Sequence, residues 1–255
     1  MIGARALKIV NDLGRAGMFF FWSVVGIFRP PYKLSPIIKQ IYVIGATSFT
    51  VIFFTGAFVG MVLGLQGYHT LKMYGAEGAL GSAVSLSLIR ELGPVLTALM
   101  VTGRVGSAIC AEVGIMRISE QIDALECMAI DPYRFLISPK FVASVFSLPL
   151  LTAIFNLVGI AGGYLVGVHL LGANEGAYLA TMKSAVMMED IWMCFAKSIC
   201  FAVLIVWICA DRGYWVHLNA DGYGAEGVSR ATTHAVVISS VAILVFDYVI
   251  TSLML

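Results

Sequence analysis

Five stretches of the sequence are apolar over the length that a lipid bilayer demands: residues 41–66, 79–102, 141–171, 191–210 and 233–255. A helix rises about 1.5 Å per residue, so about 20 residues cross a hydrocarbon core of roughly 30 Å. In lipid no water satisfies backbone N–H and C=O groups, so each stretch is expected to be helical. The chain therefore reads as an all-α integral membrane protein. Its residues are 60% hydrophobic and only 12% charged, where a soluble domain carries about 25% charged residues. That leaves too little polar surface to coat a water-facing globule. With a net charge of +1 nothing points to nucleic acid, whose binders carry a basic patch or stripe.

The first 40 residues are different. Arg5, Lys8, Arg15, Arg29, Lys33 and Lys39 punctuate a short apolar run at 18–25. No small-x-small site follows it, so it does not read as a cleaved signal. Residues 1–28 are expected to form a basic amphipathic helix at the membrane surface, ended and turned inward by Pro30, Pro31 and Pro36. Lys and Arg outside the spans then alternate: six before span 1, one (Lys72) after it, four between spans 2 and 3 (Arg104, Arg117, Arg134, Lys140), one (Lys183), then two (Arg212, Arg230). Positive charge marks the cytoplasmic side. It predicts a cytoplasmic N-terminus, cytoplasmic segments at 103–140 and 211–232, and a C-terminus on the far side. No second domain is expected: 1–255 reads as a single membrane domain, with 1–40 the interfacial helix and elbow and 41–255 the five-span part.

Charge inside a span is costly and points to a cavity or a partner. Arg90 and Glu91 fall within span 2, about 100° apart on a helix, so they need not pair with each other. Gly93-Pro94 follows, and Pro94 removes a backbone hydrogen bond there. Such a polar spot suits a lipid head group or a gate; the plainer reading is pairing with a neighbouring helix or snorkelling. Lys197 lies near the entry to span 4, where snorkelling is expected, and Asp247 lies deeper in span 5. Glycines recur every four residues at 56, 60 and 64 in span 1 and at 159, 163 and 167 in span 3. Each stripe admits a close backbone neighbour, either a subunit interface or ordinary packing within the chain.

Residues 111–130 read as one amphipathic helix. Ile115, Ile118, Ile122, Leu125 and Ala129 share a side; Glu112, Glu120, Asp123 and Glu126 share the other. Asp131-Pro132 ends it. The acidic face suits a basic protein partner rather than an anionic leaflet. Cys110, Cys127, Cys194, Cys200 and Cys209 form no C-x-x-C pair and read as small hydrophobes without a disulfide framework. His69, His169, His217 and His234 lack metal-ligand spacing. There is no phosphate-cradling G-x-x-x-x-G-K-[ST], no G-x-S-x-G and no H-E-x-x-H. If transport uses ATP, another chain supplies the ATPase.

The run from Glu91-Leu-Gly-Pro-Val-Leu-Thr-Ala-Leu-Met, through Gly103-Arg104-Val-Gly106, Ala111-Glu112-Val-Gly114-Ile-Met116, Glu120-Gln121 and Asp131-Pro132 to Ser138-Pro139, resembles the signature of the MlaE/YrbE permease family. The likeness covers about residues 85–140, and the basic N-terminal helix, the five spans and Ala231-Thr232-Thr233 agree with it. It implies the permease of an ABC transporter in the bacterial inner membrane: a homodimer bound to a cytoplasmic ATPase of MlaF type, a STAS-domain protein of MlaB type and a periplasmic MCE hexamer of MlaD type. Such a system moves glycerophospholipids between the inner membrane and a periplasmic carrier and maintains outer-membrane lipid asymmetry. By the same likeness, Glu112, Met116, Arg117, Glu120, Gln121 and Asp123 belong to a coupling helix between spans 2 and 3. Arg90, Glu91, Leu92, Leu63, Thr70 and Tyr74 would line the lipid cavity. The resemblance implies no catalytic residue, metal or cofactor in the chain itself, ATP being used by the partner.

Two other classes compete. An ion-gradient-driven transporter or channel would use Arg90, Glu91, Lys197 and Asp247 as a charge relay, but five spans show no even repeat of two halves. A lipid-acting membrane enzyme lacks any nucleophile or metal constellation.

Overall fold

The computed structural model describes residues 2–28, 34–218 and 224–254. The charges at Arg29 and Lys33 and the break at Pro30-Pro31 lie outside them, as do the side chains of Arg5 and Lys8 and the last span residue, Leu255. Among the described residues every regular element is helical. In chain order they are α1 (Ile2–Phe28), α2 (Leu34–Ile44), α3 (Phe49–Met73), α4 (Leu80–Ser87), α5 (Gly93–Val101), α6 (Ser107–Ile118), α7 (Gln121–Cys127), α8 (Ser138–Tyr164), α9 (Glu175–Ala185), α10 (Met188–Tyr214) and α11 (Gly224–Met254). Five apolar helical runs are long enough to cross a membrane: Leu34–Met73, Glu77–Ile118, Tyr133–Leu170, Met188–Tyr214 and Gly224–Met254. These contain the five expected spans, apart from the end residues Leu171 and Leu255. Pro36 does not end a helix. It sits in the first turn of α2, where its missing N–H costs nothing.

All five runs outrun their predicted limits, and in the second and third wide π turns carry the helix onward. Leu88–Leu92, Thr102–Gly106, Tyr133–Ile137 and Leu165–Leu170 are such turns. At the first, Gly93 N–H reaches back five residues to the Leu88 carbonyl, which accommodates Pro94 at the next position. Sequence periodicity places no turn of this kind, so the 42-residue second run was read as ending at Thr102.

The chain divides into two compact units. The first comprises the described parts of Met1–Tyr42, Thr102–Ser144 and Val203–Ala242. Here one face of α1 docks onto protein. Phe19 and Ser23 are buried, and the Phe19 ring lies 5.4 Å from Tyr133 and 5.5 Å from Tyr214. The Ser138 hydroxyl donates to the Ser23 carbonyl at 3.0 Å, and the Trp207 indole N–H donates to the Ala16 carbonyl at 2.9 Å. Leu13, Met18 and Phe21 stay exposed on the other side.

The second unit comprises Val43–Val101, Val145–Ala202 and the described part of Ile243–Leu255. Its seam answers the question of the two glycine stripes. A Cβ on Gly60 would lie 1.8 Å from the Gly159 carbonyl oxygen; on Gly64, 2.8 Å from that of Gly163; on Gly56, 2.9 Å from that of Phe155. Thus α3 and α8 of one chain pack backbone to backbone. Gly167 instead faces Leu80, whose Cδ2 is 2.6 Å from the Cβ position. A further helix, α9, lies between spans 3 and 4. Asn174 caps it by accepting the Ala177 N–H at 3.0 Å, and Gly81 packs under the Tyr178 carbonyl. Burial pushes the Tyr178 phenol up to about 12.

Candidate functional site

Two groups of candidate residues emerge, one in each unit. In the second unit the π turn at Leu88–Leu92 and Pro94 together shape a polar cluster inside the apolar spans. Proline at 94 cannot donate to the Arg90 carbonyl one turn earlier. The Lys197 ammonium does so instead, at 2.8 Å. The same ammonium donates to Glu91 Oε2 at 2.7 Å and lies 2.9 Å from Asp247 Oδ1. Its side chain is 0% exposed, so Lys197 does not snorkel. An expelled head group would leave the Glu91 and Asp247 carboxylates and a backbone carbonyl unmatched in lipid. Glu91 also accepts from the Thr251 hydroxyl at 3.1 Å.

Arg90 points elsewhere, as the 100° offset requires. Its Nε donates to Asp190 Oδ1 at 2.6 Å, and Asp190 also accepts the Met187 N–H at 3.0 Å. The Asp190 side chain is 6% exposed while Arg90 keeps 38%, so a buried carboxylate anchors a guanidinium whose outer edge remains open. Beside this cluster lies a cavity of about 200 Å³ with a mostly apolar lining that includes Ile89, Leu157, Ile191 and Phe195. Asn156, at its wall, abuts Gly93: a Cβ there would sit 1.9 Å from Asn156 Oδ1.

Of the other candidate lipid residues, Leu92 and Leu63 are half-buried. Thr70 is exposed and donates to the Gln66 carbonyl, and Tyr74 is exposed where α3 ends. Among the described residues no hydrogen bond or ion pair joins Leu63, Thr70 or Tyr74 to the charged cluster.

In the first unit, residues 111–130 are not one helix. The second run ends with α6 at Ile118. Glu120 then takes a left-handed backbone (φ 57°) and α7 starts at Gln121. Positive φ strains a side chain that lacks local turn bonding, so Glu120 marks an elbow. The break re-sorts the faces. Ile122 is fully buried, but Ile115 is exposed. Glu112 pairs with Lys140, whose side chain is only 1% exposed. Asp123 holds Arg117 at 2.7 Å, and Glu126 accepts from the Tyr214 hydroxyl at 3.2 Å. The acidic face is therefore partly spent within the chain. Glu120 and Gln121 are exposed, whereas Met116 and Arg117 are half-buried. Arg117 Nε also donates to His217 Nδ1 at 3.1 Å. Burial, then the adjacent Arg117 cation, holds the His217 imidazole below its usual range.

A family model described as Permease MlaE matches residues 37–253. The chain belongs to the MlaE permease family. It is similar to the intermembrane phospholipid transport system permease protein MlaE of Haemophilus influenzae, with 42% identity over 99% of this chain and 95% of that protein. It is also similar to a probable ABC transporter permease protein of Rickettsia felis, with 42% identity over the same two shares. A probable ABC transporter permease protein of Synechocystis is 39% identical over 85% of this chain and 81% of that one. With the five spans, membership makes this chain a multi-pass inner-membrane permease.

Sequence reasoning missed three residues that build the sites of this MlaE-family permease. Asp190 was read as lying outside span 4, yet it sits two turns before Lys197, and a seven-residue spacing puts both on one face toward span 2. Thr251 is one turn past Asp247 by the same logic. Lys140 was counted as a loop charge, although its apolar neighbours Phe141 and Ile137 already suggested burial. The cysteines divide: Cys110, Cys194 and Cys209 are buried, while Cys127 and Cys200 are exposed.

Proposed function

We propose that this chain is the membrane-spanning subunit of an ABC transporter that moves glycerophospholipids between the inner membrane and a periplasmic carrier, and so maintains outer-membrane lipid asymmetry. The observation that carries the reading is the 42% identity along nearly the whole chain to a permease named for intermembrane phospholipid transport. The charged cluster supports it. Arg90 is braced by Asp190 through Nε, and its outer N–H groups suit a phosphate, which guanidinium binds through paired hydrogen bonds. Apolar walls beside it suit acyl chains. Leu92, Leu63, Thr70 and Tyr74 complete the lining where two copies of the chain meet.

ATP hydrolysis belongs to a separate cytoplasmic subunit of MlaF type with its MlaB-type partner; an MCE hexamer of MlaD type receives or delivers lipid in the periplasm. The distribution of Lys and Arg supports a cytoplasmic N-terminus and a periplasmic C-terminus. The α6–α7 elbow is the ATPase dock. Closure of the ATPase pushes the elbow, the second run carries the displacement to Arg90 and Glu91, and the lipid loses its contacts.

The test is mass spectrometry of the tagged protein drawn gently from its own host's membrane. A P-loop ATPase, an MCE protein and phospholipid in one peak are expected. A chain that emerges alone, under conditions that preserve other complexes, overturns the dock and favours an ion-driven carrier.

A further inference from the structure

The cluster around Lys197 has one carboxylate too many. Arg90 and Asp190 neutralise each other at 2.6 Å. Lys197 then faces both Glu91 at 2.7 Å and Asp247 at 2.9 Å. With every group ionised the set carries one unmatched negative charge inside an apolar span, where net charge is expensive. Two carboxylates that share one site do not both ionise freely. The hydrogen bonding shows the same shortage. The Lys197 ammonium directs hydrogen bonds to the Arg90 carbonyl and to Glu91. Its 2.9 Å contact with Asp247 Oδ1 is an ion pair, and that buried oxygen has no hydrogen bond of standard geometry. Asp247 lies within hydrogen-bond reach of Glu91. One O–H between the two carboxyls would satisfy that oxygen and cancel the charge.

We propose that Glu91 and Asp247 form a binding site for one exchangeable proton, and that this proton latches the end of α11 onto spans 2 and 4. The route for exchange is Glu91, whose side chain is 40% exposed; Asp247 is 17% exposed and Lys197 is closed off. The latch follows from how α11 is held. Beyond the buried Ile243, its large apolar residues Leu244, Val245, Tyr248 and Leu253 are exposed. What grips the second unit is polar: Asp247 on Lys197, and the Thr251 hydroxyl, shared between the Asp247 carbonyl at 2.8 Å and Glu91 at 3.1 Å. Loss of the proton leaves Glu91 and Asp247, on different helices, repelling each other across a single ammonium. The remaining groups nearby do not absorb that charge. Asp190 is committed to Arg90, and the Cys194 thiol, one turn before Lys197, is bonded by the Asn156 amide at 3.4 Å.

Infrared spectroscopy of the full chain in lipid nanodiscs, titrated from about pH 5 to about pH 9, reads the proton directly. The expected result is a carboxylic-acid carbonyl band that disappears as pH rises and is lost from both Glu91→Gln and Asp247→Asn; the buried Asp211 carboxyl, whose Oδ1 also lacks a donor, is identified separately by its loss in Asp211→Asn. In either variant the surviving carboxylate matches Lys197 one to one and ionises. Wild-type hydrogen exchange at residues 244–254 supplies a readout that needs no variant. Corrected for the intrinsic rise of amide exchange with pH, it should quicken about tenfold in step with loss of the band, the change that about one pKa unit of coupling makes. No acid band that is lost with both substitutions, or intrinsic-rate-corrected exchange at 244–254 that ignores the titration, overturns the proposal.

Discussion

Replacing Gly60 by alanine should do more damage than any other single methyl added to the second unit's seam. The added Cβ would lie 1.8 Å from the Gly159 carbonyl oxygen, and also within 2.6 Å of its carbonyl carbon and Cα. Ordinary contact starts near 3.4 Å, so α3 and α8 must part by about 1.6 Å at that point. Both obstacles are backbone, so no side chain can swing aside. In lipid no hydrophobic force pulls the helices back together; close packing is what holds them. A gap of 0.5–1 Å already forfeits about a quarter to a half of each dispersion contact. The loss should therefore reach about 3 kcal/mol or more, the top of the overpacking range. At Gly56 and Gly64 the obstacles stand at 2.9 and 2.8 Å, a deficit of about half an ångström, and about 1–2 kcal/mol should be lost. Gly17 has nothing within 4 Å, so alanine there should be neutral or stabilising by up to about 1 kcal/mol through helix propensity. Unfolding of the four purified variants in mixed micelles ranks them. Equal stability of Gly60→Ala and Gly17→Ala would refute the seam.

Removing the ammonium with Lys197→Met strands Glu91, Asp247 and the Arg90 carbonyl; about 3 kcal/mol should be lost, the low end for a broken buried pair because Glu91 keeps the Thr251 hydroxyl within 3.1 Å, as read in the same micelles. In the elbow, Glu112→Lys should lower the melting temperature by several degrees, because it sets a second cation against the buried Lys140, whereas Glu112→Gln should cost less. Docking is better tested by Glu120→Lys with Gln121→Lys, both exposed: ATPase binding should fall at least about tenfold with the fold's melting unchanged. Neutral His217 accepts from Arg117, and its pKa in the fold lies below the ordinary 6.5. The elbow's stability is thus full above the unfolded value and is lost as pH falls through the folded one. Protection from hydrogen exchange at 117–127, taken relative to intrinsic rates at each pH, should fall on acidification, and His217→Gln should flatten that response.

Composition and local pattern decide the solvent, the helical secondary structure and the number of spans. Apolar runs of bilayer length leave no other option, since the cost of unpaired backbone in lipid depends only on local composition. The sequence also exposes the anomalies: Arg90 and Glu91 inside a span, Pro94 beside them, and two glycine stripes. Partner identity is different, because it depends on groups distant in the chain. Lys197 looked free to snorkel until the proline's orphaned carbonyl and two carboxylates from other helices met around it. The acidic face at 111–130 looked continuous until Glu120 turned left-handed and Lys140 claimed Glu112. Glycine spacing declared that a backbone would come close, but not whose; α8 of the same chain supplied it. A hydrophobic pattern is a property of neighbours along one helix, whereas a buried charge finds its match only where helices from separate parts of the sequence converge.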